Sequence, residues 1–256
     1  MGGAETMAEP TVIADQVDIV YKVIAGQGGK GTAATAFRRI LKRQDRPTIR
    51  EVHAVKNVSF TAYKGDAIGV IGRNGSGKST LLRAVAGLLP PADGTIYTGG
   101  RPSLLGVNAA MMNDLTGDRN VVLGCLAMGM SPAEIQRRYD EIVEFSGIGD
   151  FIDLPMSTYS SGMAARLKFA IASAKTHDIL LVDEALATGD AEFRVRSERK
   201  IRELRDQAGT VFLVSHSLDV VLDTCNRALW LDAGVLRLDG PVEEVVAAYT
   251  KSATRA

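Results

Sequence analysis

The sequence predicts an α/β fold, a mainly parallel sheet with helices on both faces, and three observations predict it. First, Ala67-Ile68-Gly69-Val70-Ile71 is apolar and largely β-branched, as in a buried strand. It runs through a glycine-rich turn into the spacing Leu81, Leu82, Val85, Leu88, Leu89 of one helix face. Second, short apolar runs recur further along the chain, separated by stretches of helical spacing, which is the alternation of a parallel sheet. Third, one of those runs, Asp178–Glu184, ends on two adjacent acids at what would be the sheet's carboxyl edge.

The elements follow in order. Thr11–Tyr21 alternates well enough for a strand and ends on Tyr21, a ring either stacked on a purine base or simply exposed. Ala25–Arg50 then changes composition, carrying Lys30, Arg38, Arg39, Lys42, Arg43, Arg46 and Arg50 against Asp45 alone. Within it Phe37, Ile40 and Leu41 predict a short basic amphipathic helix suited to a membrane surface or a partner, with a solvated loop as the alternative. Regular alternation returns at His53 with Val55, Val58, Phe60 and Ala62. After the glycine-rich loop and its helix, Pro90–Gly94 reads as a turn and Ile96–Tyr97 as a short strand. Ser103–Thr176 is predominantly helical in spacing, and Ser131, Pro132 and Glu134 mark a capped helix start inside it. Asp178–Glu184 and Thr210–Ser215 are buried strands, and Ala228–Asp232 with Val235–Leu238 form a terminal hairpin around Ala233-Gly234.

Bulk properties narrow the function. The chain has 256 residues, with Lys+Arg and Asp+Glu both 30, so no global field recruits nucleic acid. Cys125 and Cys225 fit no metal or redox spacing and read as buried apolar side chains in a reducing compartment. No apolar run approaches the ~18 residues of a membrane span, and no secretory signal precedes the first strand.

Gly72-Arg73-Asn74-Gly75-Ser76-Gly77-Lys78-Ser79 is G-x-x-x-x-G-K-[ST] in its strand–loop–helix setting, with Thr80 following. Glycines permit backbone angles that aim several N–H groups at one anion, and the helix N-terminus adds partial positive charge. Lys78 reaches the β- and γ-phosphates and the Ser79 hydroxyl ligates Mg²⁺, so the chain is expected to bind a nucleoside triphosphate. In such a fold Asp183 holds the metal, and Glu184 can orient and deprotonate the attacking water. His216 stands directly after an apolar strand, at the same sheet edge. Tyr159-Ser160-Ser161-Gly162-Met163 opens a further helix, a second anion-binding terminus or an ordinary capped helix.

Together these residues resemble the ATP-binding subunit of an ABC transporter over nearly the whole chain. The resemblance implies a P-loop NTPase with a RecA-like core, an antiparallel β subdomain and an inserted α-helical subdomain. It would divide the chain into an ATP-binding core at 11–102 and 177–240, a basic insertion at 25–50, a helical subdomain at 103–176 and a C-terminal helix or tail at 241–256. In that family Tyr21 would stack on adenine, Gly72 to Ser79 would be Walker A, and Tyr159 to Met163 the signature. Asp183 would be the Walker B acid, Glu184 the catalytic base, Asp190 the D-loop and His216 the switch histidine. Cofactors would be ATP and Mg²⁺.

The signature YSSGM, in place of the general LSGGQ, looks like the branch exporting O-antigen, capsular polysaccharide and teichoic acid. Leu115-Thr116-Gly117 with Asn120, and Gly189-Asp190 with Phe193, are similar to that branch as well. The implied partners are two copies of a membrane permease, a second copy of this chain paired head to tail, and a polyprenyl diphosphate-linked glycan. The Ala-rich, Lys-poor composition makes a mycobacterial-type cell-wall galactan the first glycan considered. The expected location is the cytoplasmic face of a bacterial plasma membrane, with force passing through Met111–Met130. Where the family's Q-loop glutamine is expected, this chain has Val107 beside Asn108. The end at Ala256 leads to the expectation of no carbohydrate-binding domain. Another transporter ATPase of the family is the alternative, although an importer would show the glutamine and LSGGQ, and a DNA-organising ATPase would need heptad arms that are absent.

Overall fold

The computed structural model describes residues 9–25, 48–105, 111–183, 191–215 and 217–253. Strands β1 (Pro10–Ala25) and β2 (Thr48–Tyr63) form an antiparallel ribbon from Pro10 opposite Tyr63 to Ala25 opposite Thr48. The basic segment 26–47 therefore leaves and rejoins the ribbon at paired positions, and the helix expected around Phe37–Leu41 lies outside the described residues. The inward members of the ribbon, Val12, Ala14, Val17 and Ile19 facing Val55, Val58, Phe60 and Ala62, are all buried. Gln16 (φ 49°) and Asn57 (φ 46°) sit at shifts of register that let both strands keep apolar residues inward.

Strand β3 (Ala67–Ile71) is buried throughout and feeds helix α1 (Lys78–Val85). The apolar spacing predicts a face continuing to Leu88 and Leu89, but the helix stops earlier. Gly87 adopts φ +71°, its N–H and that of Leu88 turn back onto Ala84 O and Arg83 O at 2.9 Å each, and Leu88 is 47% exposed. Strand β4 (Asp93–Thr98) pairs antiparallel with β1, giving the order β2-β1-β4. Its first residues, Asp93 and Gly94, were expected to belong to the preceding turn.

The stretch expected to be helical from Ser103 opens instead on strand β5 (Pro102–Leu104), too short for any period to register. Helices α2 (Gly117–Ala127), α3 (Pro132–Ser146) and α4 (Ser161–Ala172) follow, with two short 3₁₀ segments, Gly149–Asp153 and Met156–Thr158, between α3 and α4. They enclose a core of their own around Val121, Cys125, Ile135, Ile142, Leu167 and Ile171. The predicted capping box starts α3: Ser131 N–H donates to Glu134 Oε2 at 2.8 Å and Ser131 Oγ accepts the Glu134 N–H at 3.3 Å.

The chain then returns through β6 (Ile179–Asp183), α5 (Ala191–Gln207), β7 (Thr210–Val214), α6 (Leu218–Thr224), β8 (Arg227–Asp232), β9 (Val235–Pro241) and α7 (Val242–Ala253). The large sheet has the order β5-β6-β7-β3-β8-β9, parallel except for the hairpin strand β9. Its alternate residues divide between two cores. Ile68, Val70, Leu181 and Leu229 meet α1 and the antiparallel sheet, whereas Ile71, Leu180, Leu213 and Ala228 meet Phe169, Phe193, Val221 and Val245. This two-sided burial explains why the strands read as continuous apolar runs. Phe145 of α3, Phe169 of α4 and Phe193 of α5 stack with centroids 5.7–5.9 Å apart and tie the helical unit to the sheet.

Both cysteines are buried, and burial pushes the Cys125 thiol up to about 11. Beyond α4, the His177 Nε2–H donates to Ala172 O at 2.9 Å. Burial holds this imidazole below its ordinary value, as does nearby Lys175, against opposing pulls from that hydrogen bond and Asp178. A lowered folded-state value means that the unfolded chain takes up the proton first. The contribution to stability is therefore present above about pH 6.5 and is lost as pH falls through and below that value. His177→Gln is expected to reduce the drop in melting temperature between pH 7.5 and 5.5, and an unchanged drop would show that His177 does not drive it.

Candidate nucleotide-binding site

The loop between β3 and α1 is clamped from two sides. A side chain at Gly72 would strike Leu231 O of β8 and come within 2.7 Å of Ser76 Oγ. At Gly77, the N-cap of α1 with φ +103°, it would strike Ala54 O of β2. Glycine is required at both positions by close approach, and at Gly77 by the backbone angle as well. Gly234, at the β8–β9 turn, completes the clamp: its N–H donates to Ser76 O at 3.0 Å and its carbonyl accepts the Lys56 N–H at 2.8 Å. Ala54, Leu231 and Gly234 are functional supports that motif reading misses, and only the predicted Ala233-Gly234 turn gave any signal of them.

Within the clamp the loop curls round the Lys78 ammonium. Nζ donates to Gly72 O at 2.8 Å and Arg73 O at 3.0 Å, and the residue is 6% exposed. Arg73, Asn74 and Gly75 are exposed on the outer rim, and Ser79 and Thr80 are half-buried on the first turn of α1. Among the described residues Ser76 Oγ is buried without a hydrogen-bond partner. Buried hydroxyls are normally satisfied, so an orphan here fits a loop built to surround a polar group. Tyr21 reaches the same place from the ribbon, with its hydroxyl 3.4 Å from Thr80 Oγ1.

Asp183 is 7% exposed at the end of β6. It pairs in register with Val214 of β7, which pairs with Val70 of β3. Asp183 thus lies level with Val70, two residues before Gly72, and two strand spacings away, about 10 Å. A lysine ammonium, a helix N-terminus, a hydroxyl and a carboxylate on one sheet edge form a donor set that fits a phosphate chain and a hard cation. Glu184, which follows Asp183, lies outside the described residues, as do Asp190, His216, Val107 and Asn108.

The expected signature residues belong to the other unit. Ser160 caps α4, its Oγ accepting the Met163 N–H at 3.2 Å. A hydroxyl used as an acceptor keeps its own hydrogen free to donate. Ser160 and Ser161 are exposed, while Gly162 and Met163 are half-buried. Tyr159 turns inward: its hydroxyl donates to Phe151 O at 2.6 Å, and burial raises its pKa. The structure therefore gathers Tyr21, the loop from Gly72 to Thr80, and Asp183 into one site, and sets Ser160 and Ser161 at a helix start on a separate core.

A family model described as ABC transporter matches residues 55–187. Among curated proteins, the teichoic acids export ATP-binding protein TagH of Enterococcus faecalis is 42% identical over 196 residues, covering 77% of this chain and 44% of that protein. The O-antigen export system ATP-binding protein RfbB of Myxococcus xanthus is 42% identical over 212 residues, covering 82% of this chain and 48% of that one. RfbB of Klebsiella pneumoniae is 40% identical over 204 residues, with 79% and 83% covered. The chain thus spans about half the length of the first two, 44% and 48%. Among solved structures, a dimeric post-hydrolysis ATP-binding cassette bound to ADP and Pi matches with a TM-score of 0.68 at 21% identity, covering 90% of this chain and 98% of that one. An ATP-binding subunit of an ABC transporter matches with 0.69 at 19%, covering 94% and 93%. These two show a shared fold. Among the described residues no helix is long and apolar enough to cross a membrane.

Proposed function

The chain belongs to the ABC transporter family, and from that membership we propose that it hydrolyses ATP to power export of a polyprenyl diphosphate-linked polysaccharide across a bacterial plasma membrane, from its cytoplasmic face. The observation that carries the ATPase reading is the doubly clamped loop with Asp183 at the same edge of the sheet, two strands away. The export reading is supported by identities of 40–42% to teichoic acid and O-antigen export proteins.

In this reading the N–H groups from Gly72 to Thr80 hold the phosphates, and Lys78 transfers Nζ from the loop carbonyls to the β- and γ-phosphate oxygens. Tyr21 stacks on the adenine. Ser79 and Asp183 would hold Mg²⁺, which would supply neutralisation of the phosphate charge. Glu184 accepts the proton of the attacking water as its oxygen bonds to the γ-phosphorus and the bond to the ADP oxygen breaks. His216 contacts the γ-phosphate and Asp190 the opposing copy. Ser160 and Ser161 of a second, head-to-tail copy close the far side, so stabilisation from both sides exists only in the dimer.

The permease would dock on the helical unit near Met111–Met130. Val122 and Leu126 of α2, 36% and 44% exposed, line a groove there with Ile135 and Tyr139 of α3. The basic segment, carried on the end of the β1–β2 ribbon, would meet anionic lipid or the glycan diphosphate, at about 1 kcal/mol per basic residue near such a surface.

One depletion experiment tests both parts. Cells lacking the chain are expected to accumulate lipid-linked glycan on the cytoplasmic side, and re-expression should clear it. Re-expressing the variant with Arg38, Arg39, Lys42 and Arg43 changed to Gln should restore ATPase activity but not export. No accumulation on depletion would overturn the export reading. Full export by the four-fold variant at equal expression would overturn the role of the basic segment.

A further inference from the structure

Asn120 is fully buried on α2, and its side chain is committed to the turn before that helix. Oδ1 accepts the Met112 N–H at 2.8 Å, and Nδ2 donates to Met112 O at 3.0 Å, Leu115 O at 3.1 Å and Thr116 O at 2.9 Å. The closed turn is zipped to the segment 154–159. Met156 N–H donates to Leu115 O at 2.9 Å, Ser157 N–H to Asn113 O at 2.8 Å and Gly117 N–H to Leu154 O at 3.2 Å, while Thr116 and Pro155 form an isolated bridge. The zip ends on Tyr159. A side chain on Gly117 would strike the Tyr159 hydroxyl and stand 3.0 Å from Ile152 O. The next residue is Ser160.

We infer that Asn120 is a positioning residue for Ser160, and that through Ser160 it governs the nucleotide site of the opposite copy rather than that of its own chain. This rests on the head-to-tail reading above. Among the described residues, every partner of the Asn120 side chain lies in the 112–116 turn, and the hydrogen bonds the turn makes beyond its own helix α2 lead to the segment that runs into the signature. The clamp around Gly72–Thr80 uses none of them. Displacing a reacting group by an ångström costs on the order of a hundredfold in rate, so the turn needs to move Ser160 only slightly to matter.

Asn120→Asp keeps the size and the Oδ1 acceptor but turns an acceptor toward three carbonyl oxygens. We expect ATP binding by the monomer to match the parent, with turnover reduced roughly tenfold to a hundredfold. Mixed dimers then assign the lesion. Paired with Lys78→Ala, Asn120→Asp should regain activity, because one composite site carries neither change. Paired with Ser160→Arg it should not, because each site then has a damaged signature. A defect acting on the chain's own nucleotide site gives the reverse pattern and overturns the proposal, as does parental turnover by Asn120→Asp. Gly117→Ala, which presses on Tyr159 from the same turn, should behave as Asn120→Asp does in both mixtures. If both variants fail to fold or lose monomer nucleotide binding, the turn is general framework and the proposal falls. The reference pair Lys78→Ala with Ser160→Arg separates the premises. Without recovery there, the head-to-tail reading fails and takes this one with it; with recovery there but none for Asn120→Asp with Lys78→Ala, only the Asn120 assignment fails.

Discussion

Glu184→Gln is expected to lower ATP turnover by roughly 10²–10⁴-fold, the usual contribution of a positioned general base, while Mg²⁺-dependent ATP binding stays within a few-fold of the parent. Glutamine keeps the volume and a hydrogen-bonding oxygen but cannot take the proton of the attacking water. On the proposed reading Asp183, at the same edge of the sheet as the glycine loop, would still hold the metal, so the nucleotide should remain bound and the dimer it closes should remain closed. Gel filtration with Mg²⁺ and ATP should show a dimer that persists in the variant and decays in the parent as ATP is consumed. Parental turnover by the purified variant would remove Glu184 from the role of base. Lys78→Ala makes the contrast, because the ammonium that bonds Gly72 O and Arg73 O is the charge placed for the phosphates. Its loss should weaken binding itself, visible as a raised Kd rather than a lowered turnover of bound ATP.

What could be read from the chain alone follows from how local each cause is. The glycine loop with Lys78 and Ser79 was legible because phosphate chemistry needs those residue types at short spacing, and Asp183 because it closes an apolar run that the structure shows as a buried strand. The Ser131 cap was legible for the same reason. The supports of the loop were not, because Ala54, Leu231 and Gly234 act through backbone atoms contributed by distant strands. Strand β5 was missed because three residues carry no period, and its place beside β6 is fixed by long-range pairing. The apolar spacing through Leu88 misled because an αL glycine outweighed it. For Leu115-Thr116-Gly117 and Asn120, the pattern was visible in the sequence but its meaning was not. Only the structure shows Asn120 tying that turn together and Tyr159 lying against Gly117.

Ser160→Arg is expected to abolish turnover in the homodimer while leaving monomer ATP binding nearly intact. Ser160 caps α4 and stands exposed, so the arginine has room on its own chain. Loss of the cap costs about 1 kcal/mol, a small part of the 5–15 kcal/mol typical of a folded domain, so unfolding does not explain a complete loss. The damage falls on the facing copy, where a long cationic side chain would occupy the space meant for the γ-phosphate and its stabilising donors. Melting temperature and nucleotide affinity of the monomer check the first half of this statement. Mixing checks the second. In an equal mixture with Lys78→Ala, about a quarter of the composite sites draw their loop from the Ser160→Arg chain and their signature from the Lys78→Ala chain, and so carry neither lesion. Activity should therefore reappear in a mixture of two inactive proteins, and it should peak near equal amounts. Recovery that instead rises steadily with one component would trace the activity to that component alone. No recovery at any ratio, with mixed dimers demonstrated by differently tagged chains, would mean that the two sites do not work independently across the pair.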